Sequence, residues 1–238
     1  KTYYLRKENF TKNKITVFNN FSYLNKILIN KIDYVMSSIV GLDGLEPTLK
    51  LIKYTKNIAI ANKESIICGW NLINKSLKKN NTNFIPVDSE HFSIWHGLNK
   101  KFKTKNIKRI YLTASGGPLL NISNKKLNKI KLSQVLNHPN WNMGKKISVD
   151  SSTMMNKIFE IIEAKKIFNI NYNQLSILIH PDSYIHAIVE FKNRMISIIA
   201  HDTTMDIPIH NTLFDNNKKY FPKKSYNLDL NKLNNLSL

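Results

Sequence analysis

Cysteine occurs once in the 238 residues, at Cys68. A single thiol cannot close a disulfide within the chain or build a multi-cysteine zinc site, and it fits a reducing compartment. Arginine is nearly as scarce: Arg6, Arg109 and Arg194 are all there is among 36 basic residues. Acidic residues number 16, which leaves a net charge of +20. Such a charge suggests nucleic acid, but readers of nucleic acid favour the bidentate fork of arginine over lysine. Lysine, asparagine and isoleucine are abundant together, as AT-rich coding would make them, so charge alone is set aside. No apolar run approaches the roughly 18 residues of a membrane span. No apolar signal segment opens the chain, and its first residue is not Met, which leads us to expect a fragment or a processed chain. Glycine is limited to seven residues, and no GxGxxG phosphate fingerprint occurs.

What is present is a globular composition, 42% hydrophobic with ten Tyr and eleven Phe. Residues 1–13 read as a loop or frayed end, and Phe21 to Ile29 has helical spacing. Tyr34 to Val40 is a strand-type run ending at Gly41 and Gly44, followed by a helix with Pro47 in its first turn. Ile58 to Ala61 is a second buried strand, leading through Asn62, Lys63 and Glu64 into a helix that closes over residues 74–82. Strand, helix, strand, helix at this spacing predicts βαβ units and a parallel sheet, whose ligands bind at the carboxyl ends of the strands.

Phe84 to Val87 is a further strand, ending in Asp88-Ser89-Glu90-His91. In extended geometry Asp88 and Glu90 would project to one side and could share a hard cation, although two carboxylates at this spacing are also common by chance. Ile94 to Leu98 continues as a helix, and Ile110 to Ala114 is a strand running into Ser115-Gly116-Gly117-Pro118. A hydroxyl and two glycines after a strand make either an anion cradle of backbone N–H groups or a plain tight turn. The stretch 138–160 is the densest in chemistry. It holds Trp141 in a polar loop, a strand-like KISV, and Asp150 to Thr153 as a helix start. The helix that follows carries Asn156, Lys157 and Glu160 on one face. These could hold a phosphorylated, metal-chelating ligand, or serve only as caps and a solvated face. Leu175 to Ile179 is a strand, Tyr184 to Phe191 and Met195 to Ala200 an antiparallel pair, and Ile207 to Leu213 a short helix. Residues 215–238 have no convincing period.

Four blocks, ANKES at 61–65, PVDSEH at 86–91, LTASGGP at 112–118 and HPNWNMGKKISVDSSTMMNK at 138–157, resemble the signature segments of 1-deoxy-D-xylulose 5-phosphate reductoisomerases. SSIVGLDGLEPT before ANKES and LIHPDSYIHAIVEF at 178–191 agree, in the family's order. The resemblance implies α/β and α+β architecture: a partial Rossmann-like parallel sheet over 1–85, the second half of an NADPH-binding domain, followed by an α+β catalytic domain over 86–238. It implies NADPH and Mg²⁺ or Mn²⁺, with Co²⁺ as a further option. The implied reaction rearranges the carbon skeleton of a ketose phosphate and reduces the aldehyde to 2-C-methyl-D-erythritol 4-phosphate, early in isoprenoid synthesis.

By the same resemblance Asp88, Glu90 and Glu160 are the metal ligands, and with Lys63 the catalytic set. Lys63 and Ser89 would meet the substrate's polar carbons. Ser115, Ser151, Asn156 and Lys157, helped by His138, form a phosphate clamp. Trp141 and Met143 lie on a closing loop, and His186 is a further active-site histidine. Gly41, Asn62, Lys63, Glu64, Met143, Gly144 and Met205 fall on the cofactor side. The expected setting is a bacterial cytoplasm, or alternatively a plastid stroma, and the complete protein is expected to be a homodimer without nucleic-acid or membrane partners. Ile158-Phe159, Leu119, Phe92 and His96 depart from the usual family residues. The Gly-rich cofactor turn and a C-terminal helical domain are expected to lie outside these residues. A truncated relative without turnover is the alternative within the family, and a basic nucleic-acid-binding module the alternative outside it.

Overall fold

The computed structural model describes residues 3–5, 16–18, 21–141, 144–214 and 230–233. The chain divides into two compact units, Lys1–Ile85 and Pro86–Leu238.

In the first unit, β1 (Tyr3–Leu5) pairs in parallel with β2 (Thr16–Phe18). The polar N-terminal stretch expected to be loop therefore contains a strand, because Tyr3-Tyr4-Leu5 finds a β-branched partner in Thr16-Val17-Phe18. The run Phe21–Ile29 yields only a 3₁₀ turn and a short α1 (Leu24–Ile27). A three-stranded sheet follows, in the order β3 (Ile32–Ser37), β4 (Thr55–Ile60), β5 (Asn83–Pro86). β3 and β4 are parallel, in register from Ile32 opposite Thr55 to Ser37 opposite Ile60. Between them runs α2 (Leu45–Ile52), with Pro47 in its first turn, where a missing N–H costs nothing.

After β4 comes α3 (Lys63–Asn80), longer than its apolar period suggested because Asn81, in the left-handed region at φ 49°, closes it with the Thr82 N–H donating to the Leu77 carbonyl. Ile52, Ile58, Ile60, Ile66 and Ile73 are fully buried and form this unit's core. Gly69 lets α2 and α3 close up: a Cβ there would lie 2.3 Å from Leu45 Cδ1.

The second unit carries a mixed sheet in the order β7 (Leu175–Ile179), β6 (Ile107–Ala114), β8 (Ile185–Phe191), β9 (Ile196–Ala200). β6 is parallel to β7 and antiparallel to β8, and β8 is antiparallel to β9. Ahead of the sheet stands α4 (Ser89–Gly97). Between β6 and β7 lie α5 (Leu132–Leu136), α6 (Lys145–Ser152) and α7 (Met155–Phe168), and α8 (Asp206–Phe214) follows β9. Ile107, Ile110, Leu112, Ile185, Ala187 and Val189 are buried from the sheet, and Ile94, Phe92 and Phe168 from the helices.

Two expectations about this unit are corrected. KISV, residues 146–149, is helical, and Asp150 to Ser152 end that helix instead of starting one. The β-branched alternation is overridden by a helix start at Gly144, and the new helix begins only after Met154 turns left-handed at φ 61°. Asp88 and Glu90 are not on an extended strand: Asp88 occupies the N-cap position of α4 and Glu90 its first turn. Met143 and residues 215–229 lie outside the described residues.

Candidate active site

Two short segments of the second unit supply the polar centre. The N-terminus of α4 brings Asp88, Ser89 and Glu90, and the first two turns of α7 bring Asn156, Lys157 and Glu160. One oxygen each from Asp88, Glu90 and Glu160 lies within 4.8 Å of the others, close enough for one cation to bridge. The Lys157 ammonium donates to Glu90 Oε1 at 2.8 Å and pairs with Glu160 Oε2. Glu90 Oε2 accepts the Ser89 hydroxyl at 2.6 Å, and the Asn156 amide donates to Glu160 Oε1. Burial alone would raise the Glu90 carboxyl, but the Lys157 ammonium outweighs it and holds the group below the usual carboxylate range. Burial would likewise discharge Lys157, and Glu160 with Glu90 instead hold it protonated above the ordinary lysine value. The sequence placed Asn156 and Lys157 on a phosphate; in the structure both address the carboxylates.

A second cluster backs the first and was missed by the sequence reading. His91, fully buried, sets Nδ1 3.1 Å from Asp88 Oδ2 and 3.5 Å from Glu163 Oε2. Its Nε2 is 2.9 Å from the Glu160 carbonyl, which can only accept, so Nε2 carries a proton. Burial opposes charge on the ring, but Glu163 and Asp88 prevail and push its pKa to about 9. His91 thus ties the Asp88 carboxylate to the backbone that bears Glu160, an outer-shell support of the kind that fixes ligand orientation. The spacings Asp88 to His91 and Glu160 to Glu163, each one helical turn, carried that signal.

The Ser115 turn forms a separate wall. The Ser115 Oγ accepts the Gly117 N–H at 3.0 Å and lies 2.9 Å from His138 Nε2. His138 Nδ1 accepts the backbone N–H groups of Asn140 and Trp141, at 3.2 and 3.1 Å. A neutral ring with Nδ1 accepting must carry its proton on Nε2 and donate it to Ser115. Burial keeps the ring neutral by lowering its pKa. Ser115 therefore receives two donors, and its own hydroxyl proton is left to another acceptor. Gly117, at φ 71°, sits against the end of α6, where a Cβ would lie 2.6 Å from the Ser151 carbonyl oxygen. The turn and the Ser151 backbone are brought together.

His186 is buried, with Nε2 3.2 Å from the His201 carbonyl, and the Trp141 ring meets it edge-on at 6.0 Å. Burial above all pushes the His186 pKa down to about 3. Gly144 caps α6 in open space, and Met205 precedes α8, its carbonyl accepting the Ile209 N–H.

The remaining predicted residues belong to the first unit, at the carboxyl ends of β3 and β4. Gly41 has φ 78° and nothing within 4 Å of where a Cβ would stand. Ile39, Val40 and Leu42 beside it are exposed. Lys63 is buried at the start of α3, and Glu64 is half-buried one residue on. Asn62 has a different duty from the cofactor contact expected of it. Its Oδ1 accepts the Ser65 N–H, and its amide donates to the carbonyls of Ile39 and Gly41, so the side chain is committed to pinning this loop to α3.

A parallel α/β unit and a mixed-sheet unit with three clustered carboxylates, a paired ammonium and a glycine turn have the make-up of a metal-assisted enzyme acting on a small anion. Comparison narrows the class. Models of the 1-deoxy-D-xylulose 5-phosphate reductoisomerase family match residues 2–69, and those of its C-terminal domain residues 84–168. The chain is 62% identical over 227 residues to the 1-deoxy-D-xylulose 5-phosphate reductoisomerase of Pelagibacter ubique, covering 94% of this chain and 58% of that protein. It is 44% identical to the one from Clostridium tetani, over 78% of this chain and 48% of that protein. A solved DOX-P reductoisomerase in complex with NADPH, fosmidomycin and magnesium superposes with a TM-score of 0.79 at 34% identity, over 94% of this chain and 56% of the other. The enzyme from Zymomonas mobilis in complex with NADPH gives 0.78 at 32% identity, with the same coverage. The chain belongs to the 1-deoxy-D-xylulose 5-phosphate reductoisomerase family, and it spans about half the length of the curated relatives it matches.

Proposed function

We propose that this chain serves the NADPH- and divalent-metal-dependent conversion of 1-deoxy-D-xylulose 5-phosphate to 2-C-methyl-D-erythritol 4-phosphate. The observation that carries the reading is the Asp88, Glu90 and Glu160 cluster, its charge partly offset by Lys157 and its geometry backed by His91. Three hard carboxylate oxygens within reach of one point fit Mg²⁺ or Mn²⁺ better than a soft metal, and Co²⁺ less well. When bound, the ion would polarise the substrate's carbonyl and stabilise negative charge on its oxygen.

The chain's own residues do the rest. Asp88, Glu90 and Glu160 would hold the ion, and Ser89 fixes the Glu90 rotamer. Lys157 lowers the repulsion that an anionic ligand would otherwise meet beside three carboxylates. Ser115, oriented by His138 and by the Gly117 N–H, offers its hydroxyl proton to the phosphate. Ser151 stands against the same turn and completes that wall. Trp141, edge-on to His186, covers the site against water. His186, neutral, presents its Nδ1 as an acceptor to a substrate hydroxyl. The first unit is read as the second half of the NADPH-binding domain: exposed Ile39, Val40 and Leu42 and the open Gly41 lie where parallel sheets bind ligands. Lys63 and Glu64 begin the helix at that edge. Gly144, Met143 and Met205 are assigned to the nicotinamide side.

The edge strand β9 exposes Ile196 and Ile198, with Met195 exposed just before it, which supports pairing with a second copy in a homodimer. Among the described residues no helix is long and apolar enough to cross a membrane. The bacterial sources of the relatives favour the cytoplasmic setting over the plastid.

Calorimetric titration with fosmidomycin in the presence and absence of Mg²⁺ tests the reading. Binding that requires the ion and is lost in Glu160→Gln is expected. Binding indifferent to Mg²⁺, or retained in Glu160→Gln, would refute it.

A further inference from the structure

His186 is the extra residue of a bulge. Ile185 pairs with Ala200 and Ala187 with Ile199, so two steps along β8 meet one along β9. The bulge turns this one histidine out of the regular alternation, and the chain leaving β9 then supplies what holds it. The His201 ring stacks on the His186 ring, with centroids 3.7 Å apart and planes inclined by 19°. The His201 N–H donates to the Tyr184 carbonyl at 2.9 Å, which fixes the stacking residue to the strand that carries its partner. Trp141 meets His186 edge-on, and Phe92, two residues beyond Glu90 on α4, meets His201 edge-on at 6.5 Å and 68°. Four rings thus run from the 138–141 loop to the helix bearing Glu90.

The proton positions follow from the acceptors. The His201 carbonyl can only accept, so His186 Nε2 carries the proton and its Nδ1 is the bare nitrogen. The Asp202 carbonyl, 2.8 Å from His201 Nδ1, fixes that ring in the opposite tautomer, with Nε2 bare. This Nε2 is buried and has no hydrogen-bond partner among the described residues. Buried nitrogens are ordinarily paired, so the His201 ring is not held there by a complete set of polar contacts. What it offers in full is a flat face.

We propose that His201 is a positioning residue for His186, its ring fixing the His186 imidazole in the tautomer and orientation that present Nδ1 to the substrate. The stacked face blocks rotation of His186 about its χ2 torsion, and with Nε2–H held on the 201 carbonyl the acceptor nitrogen has one direction left. A swing of the ring would exchange acceptor for donor at the same place. The proposal rests on the reductoisomerase reading of the site.

Two substitutions of similar bulk separate the flat face from mere filling of space, since both keep the 201 backbone carbonyl. His201→Phe retains a planar ring, and His201→Leu does not. Nitrogen-15 spectra of histidine-labelled protein, with His186→Asn used to assign the signals, read the His186 tautomer directly. The parent and His201→Phe are expected to show well-separated Nδ1 and Nε2 resonances for His186. In His201→Leu the two should move toward each other as the tautomers mix. With substrate, NADPH and Mg²⁺, His201→Leu is expected to lose about tenfold or more in kcat, the size of effect that a misplaced group produces. His201→Phe should stay within about twofold of the parent on the same scale, with the KM for NADPH unchanged in both. His186 signals in folded His201→Leu that match the parent would overturn the proposal. So would a His201→Phe as impaired as His201→Leu. If the parent neither binds fosmidomycin with Mg²⁺ nor turns over the substrate, the functional reading has failed, and the spectra alone still decide whether His201 positions His186.

Discussion

Alanine at Gly117 tests whether the Ser115 turn is built to meet the end of α6. Two penalties add at this position. The backbone sits at φ 71°, where an L-residue pays roughly 1–2 kcal/mol. The new Cβ would also lie 2.6 Å from the Ser151 carbonyl oxygen and 3.1 Å from the Ser152 Cα, both backbone atoms that move only if α6 moves. Overpacking of that kind costs roughly 1–3 kcal/mol. Gly117→Ala is therefore expected to lose about 2–5 kcal/mol of stability. Gly116 next to it supplies the control. Its φ of 82° carries the same backbone penalty, but the nearest atoms its Cβ would meet are those of the Leu120 side chain, which is 42% exposed and can swing away. Gly116→Ala should lose about 1–2 kcal/mol. Urea denaturation of the parent and both variants measures the difference. Fosmidomycin titration with Mg²⁺ should show Gly117→Ala weakened by about tenfold or more, because Ser151 moves with α6. Gly117→Ala and Gly116→Ala equal in stability within about 0.5 kcal/mol, the precision to which such differences are meaningful, would refute the argument that the helix end is pressed against the turn.

Removing the Lys157 ammonium as Lys157→Met leaves Glu90 and Glu160 buried without their cation, which costs about 3–5 kcal/mol when one partner of a buried pair is lost. Mg²⁺ should restore part of that loss, so the variant's melting temperature is expected to rise more on adding the ion than the parent's does; an equal response would argue against a shared site. His91 predicts an alkaline limb. Its folded pKa of about 9 lies above the ordinary histidine value of 6.5, so its contribution to stability is complete below the lower value and is lost as pH rises through the upper one. Chelator-treated His91→Gln should lack that limb in urea titrations between the two pH values, and a limb unchanged from the parent would remove His91 as its source. Asp88→Asn should weaken Mn²⁺ binding by calorimetry about tenfold or more; an unaltered isotherm would exclude Asp88 as a ligand.

The parts of this fold legible in the sequence are those whose local pattern and tertiary place agree. β4, β6, β7 and the β8–β9 pair were readable because runs rich in isoleucine and valine stood between turn residues. The residues around α6 behave differently. KISV reads as a strand by alternation, yet Gly144 starts a helix ahead of it and Met154 ends the turn with a left-handed backbone that methionine rarely adopts. The cost of that conformation is local, whereas its benefit is remote: it starts α7 at the point that aims Lys157 and Glu160 at Glu90.

The candidate site shows the same division. Asp88, Glu90 and Glu160 were legible as residue types able to take a metal, but the geometry that unites them was misassigned, since an N-cap and a first helical turn replace the supposed extended strand. His91 and Glu163 were legible only as one-turn spacings from Asp88 and Glu160, which show a shared helix face but not that the two helices meet, and His201, a ring behind a bulged histidine, leaves no period in the chain at all. Spacing along a sequence can show which groups share a helix face. It cannot show that the bulge at His186 would turn a strand residue toward Trp141, because a bulge is fixed by how two strands pair, and the residue that exposes it, His201, stands 15 positions away.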